Sequence, residues 1–154
     1  MKKYLFPIIL SLCIGSLLAY LIINSYSDVD SISVSSNAKE VYYLRQGVYS
    51  SKENMENGMQ DFPHYIYNVE DNMYNTYIAI SKNKKNIEKL KGFYQKKGYD
   101  TYIEAKITDN EDFLIVLEQY DKVLSETDDE NAIKTICNQV LAKYEEMVNG
   151  EYKD

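Results

Sequence analysis

A chain of 154 residues, 45% of them hydrophobic and 27% charged, has room for one compact domain of ordinary size plus appendages. Its formal charge of -7 excludes a general nucleic-acid binder, because neutralising phosphates takes a basic surface. Two cysteines, Cys13 in an apolar N-terminal run and Cys137 near the other end, can frame neither a disulfide scaffold nor a Cys/His metal site.

The N-terminus carries the clearest physical signal. Lys2 and Lys3 precede Tyr4 to Ile23, twenty residues without a charge. At about 1.5 Å rise per residue, such a helix spans the roughly 30 Å core of a bilayer. Lysines stay on the cytoplasmic side, which puts the rest of the chain outside. The competing reading is a cleaved secretory signal. That reading needs a shorter apolar run ending at a small-x-small site, whereas Leu18-Ala19-Tyr20 sits inside this one. Residues 1–23 are therefore expected to form a cytoplasmic stub and single-pass anchor, and no cofactor is implied anywhere in the chain. Residues 24–40, rich in Ser and Asp, read as a flexible linker with a span of about 20 Å.

Residues 41–107 read as two copies of a strand, helix, strand unit. The first runs through the aromatic stretch Val41 to Tyr49, a helix from about Lys52 to Phe62 and a strand from His64 to Val69. The second runs through Tyr74 to Ser81, a helix from about Lys84 to Lys97 and a strand from Tyr99 to Ile107. A doubled pattern of this kind gives an α+β, ferredoxin-like βαββαβ domain: one antiparallel sheet, both helices on one face, the other face open. Ser50-x-x-Glu53 offers a capping box, Pro63 a stop, Asp71-Asn72 a turn and Gly98 a left-handed C-cap. Strand alternation would send Thr76, Ile78 and Ile80 to the core and Asn75, Tyr77 and Ala79 to the open face.

Residues 108–154 add a helical hairpin. Thr108-x-x-Glu111 opens a helix carrying Phe113, Leu114, Leu117, Tyr120, Val123 and Leu124. Thr127-x-x-Glu130 opens another with Ile133, Ile136, Cys137, Val140, Leu141 and Tyr144, where Cys137 reads as a small buried hydrophobe. The apolar stripes suit packing of the hairpin on itself and on the sheet domain. They equally suit docking of a partner protein or self-association, and the hairpin could even cover the open sheet face. Charge is unevenly spread: residues 82–97 hold seven Lys against one Glu, and residues 100–154 hold fifteen acids against five Lys. The lysine run reads as a solvated helix face or a contact for anionic wall polymer or lipid headgroups.

Tyr42 to Ser51 followed by Glu53-Asn54, Tyr74 to Ala79, and Lys97-Gly98-Tyr99-Asp100-Thr101-Tyr102-Ile103 together resemble the SPOR (sporulation-related repeat) domain. The resemblance spans roughly Val41 to Ile107. Arg45 stands where the family commonly has Gln, Gln46 is displaced by one position, Val48 replaces a small polar residue, and Asn75 and Ala79 replace an Arg and a Gly. The resemblance implies an extracytoplasmic, membrane-anchored domain that binds peptidoglycan, in particular glycan strands stripped of stem peptides, in bacterial cell division or sporulation. On that reading the open face would bind glycan through Tyr43, Arg45, Gln46, Tyr67, Asn75, Tyr77 and Tyr102. Sugar rings offer apolar C–H faces and hydroxyl rims, which Tyr rings can stack on and Arg, Asn and Gln can bond to. Beside this stands a plainer account, since strand tyrosines pack well on any pleated surface. The alternative function is a membrane-anchored assembly protein whose sheet domain and helices bind another protein. No G-x-x-x-x-G-K-[ST], H-E-x-x-H or G-x-S-x-G motif occurs, so binding is expected and catalysis is not. His64 has no second ligand or nucleophile near it in sequence and reads as structural or exposed.

Overall fold

A computed structural model describes residues 38–150, which belong to one compact unit. The expected span at residues 4–23 and most of the expected linker lie outside the described residues. Among the described residues no helix is long and apolar enough to cross a membrane.

The elements run β1 (Lys39–Tyr49), α1 (Lys52–Gly58), β2 (Ile66–Glu70), β3 (Met73–Ser81), α2 (Lys84–Lys96), β4 (Tyr102–Thr108), α3 (Glu111–Glu126) and α4 (Glu130–Gly150). The four strands form one antiparallel sheet in the order β2-β3-β1-β4. Among the described residues this is an α+β fold with four helices. β1 starts two residues earlier than the sequence suggested, because Lys39 pairs with Thr108 and Glu40 with Ile107.

Local chemistry sets the element ends. Asp71 and Asn72 take φ of 51° and 61° in the tight turn between β2 and β3, a conformation that short polar side chains tolerate. Gly98, at φ 87°, ends α2 and lets Tyr99 N–H reach back to Tyr94 O at 3.1 Å. The N-caps fall one to two residues later than expected. Ser51, not Ser50, accepts from Asn54 N–H, and Asn110 accepts from Phe113 N–H at 2.9 Å. Thr108 cannot cap α3 because it still pairs within β4. Asp129 likewise replaces Thr127 by accepting from Ala132 N–H. α1 is shorter than expected and stops at Gly58, although Met59 and Phe62 still turn inward and are buried. The Tyr49 ring lies where a side chain at Gly58 would be, 2.5 Å from an added Cβ, and the same ring abuts Gly47.

Two compensating irregularities in the β1–β3 register decide which side chain faces where. Leu44 pairs with Ala79 but Arg45 with Tyr77, so Ile78 is an extra residue in β3. Arg45 pairs with Tyr77 but Gly47 with Thr76, so Gln46 is an extra residue in β1. Simple alternation fails across the first bulge. Ala79 goes with Leu44 to the face on which α1 and α2 pack, while Tyr77 stays on the opposite face with Arg45.

The C-terminal hairpin joins the same core. β2 pairs only with Met73 to Tyr77, and beyond it Ile78, Ala79, Ile80 and Ser81 are between 0% and 3% exposed. α3 and α4 pack on β3 and supply burial that β2 is too short to give. Phe113, Leu117, Leu124, Ile133, Val140 and Leu141 are buried, whereas Val123, expected in the stripe, is 53% exposed.

A buried carboxylate fixes the docking. Asp121 of α3, 7% exposed, accepts from Ser81 Oγ and from Asn86 Nδ2 at 2.9 Å, and its second oxygen accepts from Lys82 N–H at 2.9 Å. Around it, the basic run meets the acidic tail: Lys82 pairs with Glu118, Lys89 with Asp128 and Lys97 with Glu130. These lysines hold the three carboxyls below their ordinary range, chiefly through their direct hydrogen bonds. Asp121→Ala leaves Lys82 N–H without its acceptor and takes one of two acceptors from Ser81 Oγ and Asn86 Nδ2, which keep Asn83 O and the residue-121 carbonyl. It should lower stability by about 2 kcal/mol, read as a lower urea midpoint with an unchanged slope. A change below about 1 kcal/mol would mean the carboxylate does not hold the hairpin.

Candidate functional site

The sheet face opposite α1 and α2 carries a row of three side chains from neighbouring strands. Tyr77 of β3 lies opposite Arg45 of β1, which lies opposite Tyr102 of β4. Glu104 and Lys106 follow Tyr102 at two-residue steps, so strand alternation puts them on the same face. Tyr43, paired with Glu104, belongs there too.

The Tyr77 hydroxyl is the hub of this face. It accepts from Lys106 Nζ at 3.0 Å and lies 3.1 Å from Glu104 Oε2 and 3.4 Å from Asn68 Oδ1, with one proton to donate to either. Glu104 takes two cations, Lys106 at 3.2 Å and Arg45 at 3.8 Å. Lys106 Nζ also stands 4.6 Å from the Tyr77 ring centroid and 5.2 Å from that of Tyr43. Burial pushes the Tyr77 hydroxyl above its ordinary value and outweighs the opposing pull of Lys106. For Lys106 burial acts downward, but the bonds to Tyr77 and Glu104 win and the ammonium is held above its ordinary value.

The hairpin closes one half of this face. Tyr144 of α4 stands edge-on to Tyr43 at 6.0 Å and to Phe113 at 5.3 Å, and Tyr43 is only 6% exposed. Tyr77, edge-on to Tyr43 at 5.5 Å, is 3% exposed. Neither ring has a free face on which a sugar could stack. The other half stays open: Tyr102 is 59% exposed and Val48 44%, and the Arg45 guanidinium lies 5.9 Å from the Tyr102 ring centroid.

The remaining expected residues divide. Asn75 shares the Tyr77 face, opposite Val48, but is 8% exposed. Gln46, as the extra residue of the β1 bulge, accepts instead from the Tyr49 hydroxyl at 2.8 Å. Tyr67 pairs with Thr76 and packs on Tyr74 at 5.8 Å, which places it on the face opposite Tyr77. Of the seven residues singled out in the sequence, Arg45 and Tyr102 form the accessible pair, while Tyr43, Asn75 and Tyr77 lie beneath or beside it. Glu104 and Lys106 went unnoticed. The alternation in Tyr102-x-Glu104-x-Lys106 was the signal that could have found them.

His64 Nε2 lies 3.1 Å from Glu145 Oε2 on α4, without the alignment of a hydrogen bond. Cys137 is 2% exposed beside Tyr94, and burial pushes its thiol up to about 12, which leaves it unreactive at neutral pH. Among the described residues no group of three or more His, Cys, Asp or Glu side chains could hold a metal ion. No protein-family model, curated protein or solved structure matches the chain.

Burial also raises the Tyr43 and Tyr94 hydroxyls, so the folded protein keeps protons that unfolded tyrosines lose near 10.0. A folded value raised above the unfolded one means stability that is complete below that pH and is lost as pH climbs past it. Lys106 acts with the same sign. The urea midpoint should therefore hold up to about pH 9 and fall steeply above 10. Tyr77→Phe should cost about 1 kcal/mol at neutral pH and make that fall shallower. An alkaline limb no different from wild type would contradict the role given to the Tyr77 hydroxyl.

Proposed function

We propose that the protein is a membrane-anchored, non-enzymatic binder of peptidoglycan glycan strands. Its ferredoxin-like, SPOR-like domain stands outside the bacterial cell membrane on the single N-terminal span, and it acts in cell division or sporulation. The observation that carries this reading is the accessible pair on the open half-face. Tyr102 presents a ring that a sugar's C–H face can stack on, and Arg45 beside it, oriented by Glu104, presents donors to the sugar's rim. Removing a stem peptide leaves a carboxylate on the glycan, and a guanidinium suits that group better than any neutral donor does. The cluster of buried Tyr43 and Tyr77 with half-buried Lys106 supports the pair from below without touching ligand.

A second reading, a membrane-anchored assembly protein, has one specific observation in its favour. Ile115 and Val123 on α3 are 56% and 53% exposed, and their eight-residue spacing puts them on one side of that helix. This side faces away from the hairpin core and suits contact with another protein or a second copy.

Retention on insoluble sacculi, with and without amidase removal of stem peptides, separates the two. On the glycan reading the protein is retained more strongly after amidase, Arg45→Ala with Tyr102→Ala cuts retention at least about tenfold, and Ile115→Asp leaves it unchanged. Retention that ignores the Arg45 and Tyr102 changes but falls with Ile115→Asp would favour the assembly reading.

A further inference from the structure

A cavity of about 180 Å³ lies where the segment after α1, the end of α2 and one side of α4 meet. It shares no residue with the Arg45–Tyr102 pair. Its aromatic wall is Phe62, with Tyr99 at 4.8 Å and Tyr94 at 5.9 Å between ring centroids, and Ile78 and Pro63 add further apolar surface. About 150 Å³ is enough for one benzene ring, so the space takes a single ring or branched aliphatic group with a few atoms more. An oligosaccharide does not fit it.

The polar rim narrows the chemistry. Lys97 is already committed, 2.6 Å from Glu130 and over the Phe93 ring. Asp61 accepts from the Tyr99 hydroxyl at 3.2 Å. Lys134 and Asn138, on one side of α4 at a four-residue spacing, are different: among the described residues Lys134 has no ion pair at contact distance and the Asn138 amide no hydrogen bond. The lining thus holds an aromatic box, an ammonium that acts on Glu130 only from beyond ion-pair distance, and an amide without a hydrogen bond. The Lys134 ammonium can only donate and the Asn138 amide can donate through Nδ2, so the two together suit an anion.

We propose that this cavity binds a compact carboxylate carrying one ring-sized apolar group, the ring against Phe62, Tyr94 and Tyr99 and the carboxylate on Lys134 Nζ and Asn138 Nδ2. Its walls come from both the sheet domain and α4, so an occupant also ties the hairpin to the sheet. Titration of the isotope-labelled full-length chain with benzoate, and with benzyl alcohol and benzylamine as neutral and cationic probes of similar size, tests this by NMR. Benzoate should move the amide signals of Phe62, Tyr99 and Asn138 saturably, in roughly the millimolar range. Benzyl alcohol should bind at least about fivefold more weakly and benzylamine more weakly still. Lys134→Ala, at an exposed position, should abolish the preference for benzoate while leaving benzyl alcohol within about twofold. No saturable shift at those three residues, equal affinity for all three probes, or benzoate binding indifferent to Lys134→Ala would each overturn the proposal.

Discussion

The buried carboxylate of Asp121 ties together three segments that would otherwise meet only through apolar contact. It receives the last side chain of β3, a backbone N–H from the turn that follows, and the first-turn amide of α2. A carboxylate placed there without those donors would carry a desolvation cost of several kcal/mol, so the hairpin has one favourable seat and register shifts along β3 are penalised. The apolar stripes of α3 and α4 supply the bulk of the attraction. Asp121 supplies the position.

That seat determines what the sheet can offer. With α4 held against β3, Tyr144 comes down on Tyr43, and the face that a bare four-stranded sheet would leave open is halved. The closed half becomes a packed cluster of Tyr43, Tyr77 and Lys106. The open half keeps Arg45 and Tyr102, whose orientation rests on Glu104 at the cluster's edge. The same docking creates the aromatic cavity on the other side of β3, because its rim needs Lys134 and Asn138 from α4. The cavity thus depends on the hairpin as much as on the sheet, whereas the Arg45–Tyr102 pair comes from the sheet alone.

Much of this was legible in the sequence where a residue acts locally. The turn at Asp71-Asn72, the cap at Gly98 and the apolar stripes of α3 and α4 depend on backbone preference and period, and they stand as expected except at Val123, which is exposed. Matters that depend on pairing did not. Whether Ala79 or Tyr77 faces α2 is decided by where Ile78 and Gln46 bulge, and a bulge is a property of two strands together. The cap shift from Thr108 to Asn110 has the same origin, since β4 keeps Thr108 for itself. The opposed charges of residues 82–97 and the tail were visible, but their meaning, three ion pairs from Lys82, Lys89 and Lys97 to the hairpin, needed the fold. Burial of Tyr43 followed from Tyr144, a residue 101 positions away. No local pattern announces such a contact.

Native-state hydrogen exchange, read residue by residue on the folded protein, tests most directly whether hairpin and sheet are one cooperative unit. On this account the amides of α4 around Val140 and Leu141 exchange only through the global opening that also releases Ile78 to Ile80 in β3, with equal free energies for both groups. Exchange in α3 and α4 at a clearly lower free energy than in β3 would contradict it. The hairpin would then be a detachable flap, and the sheet face with Tyr43 would be open whenever the flap is off.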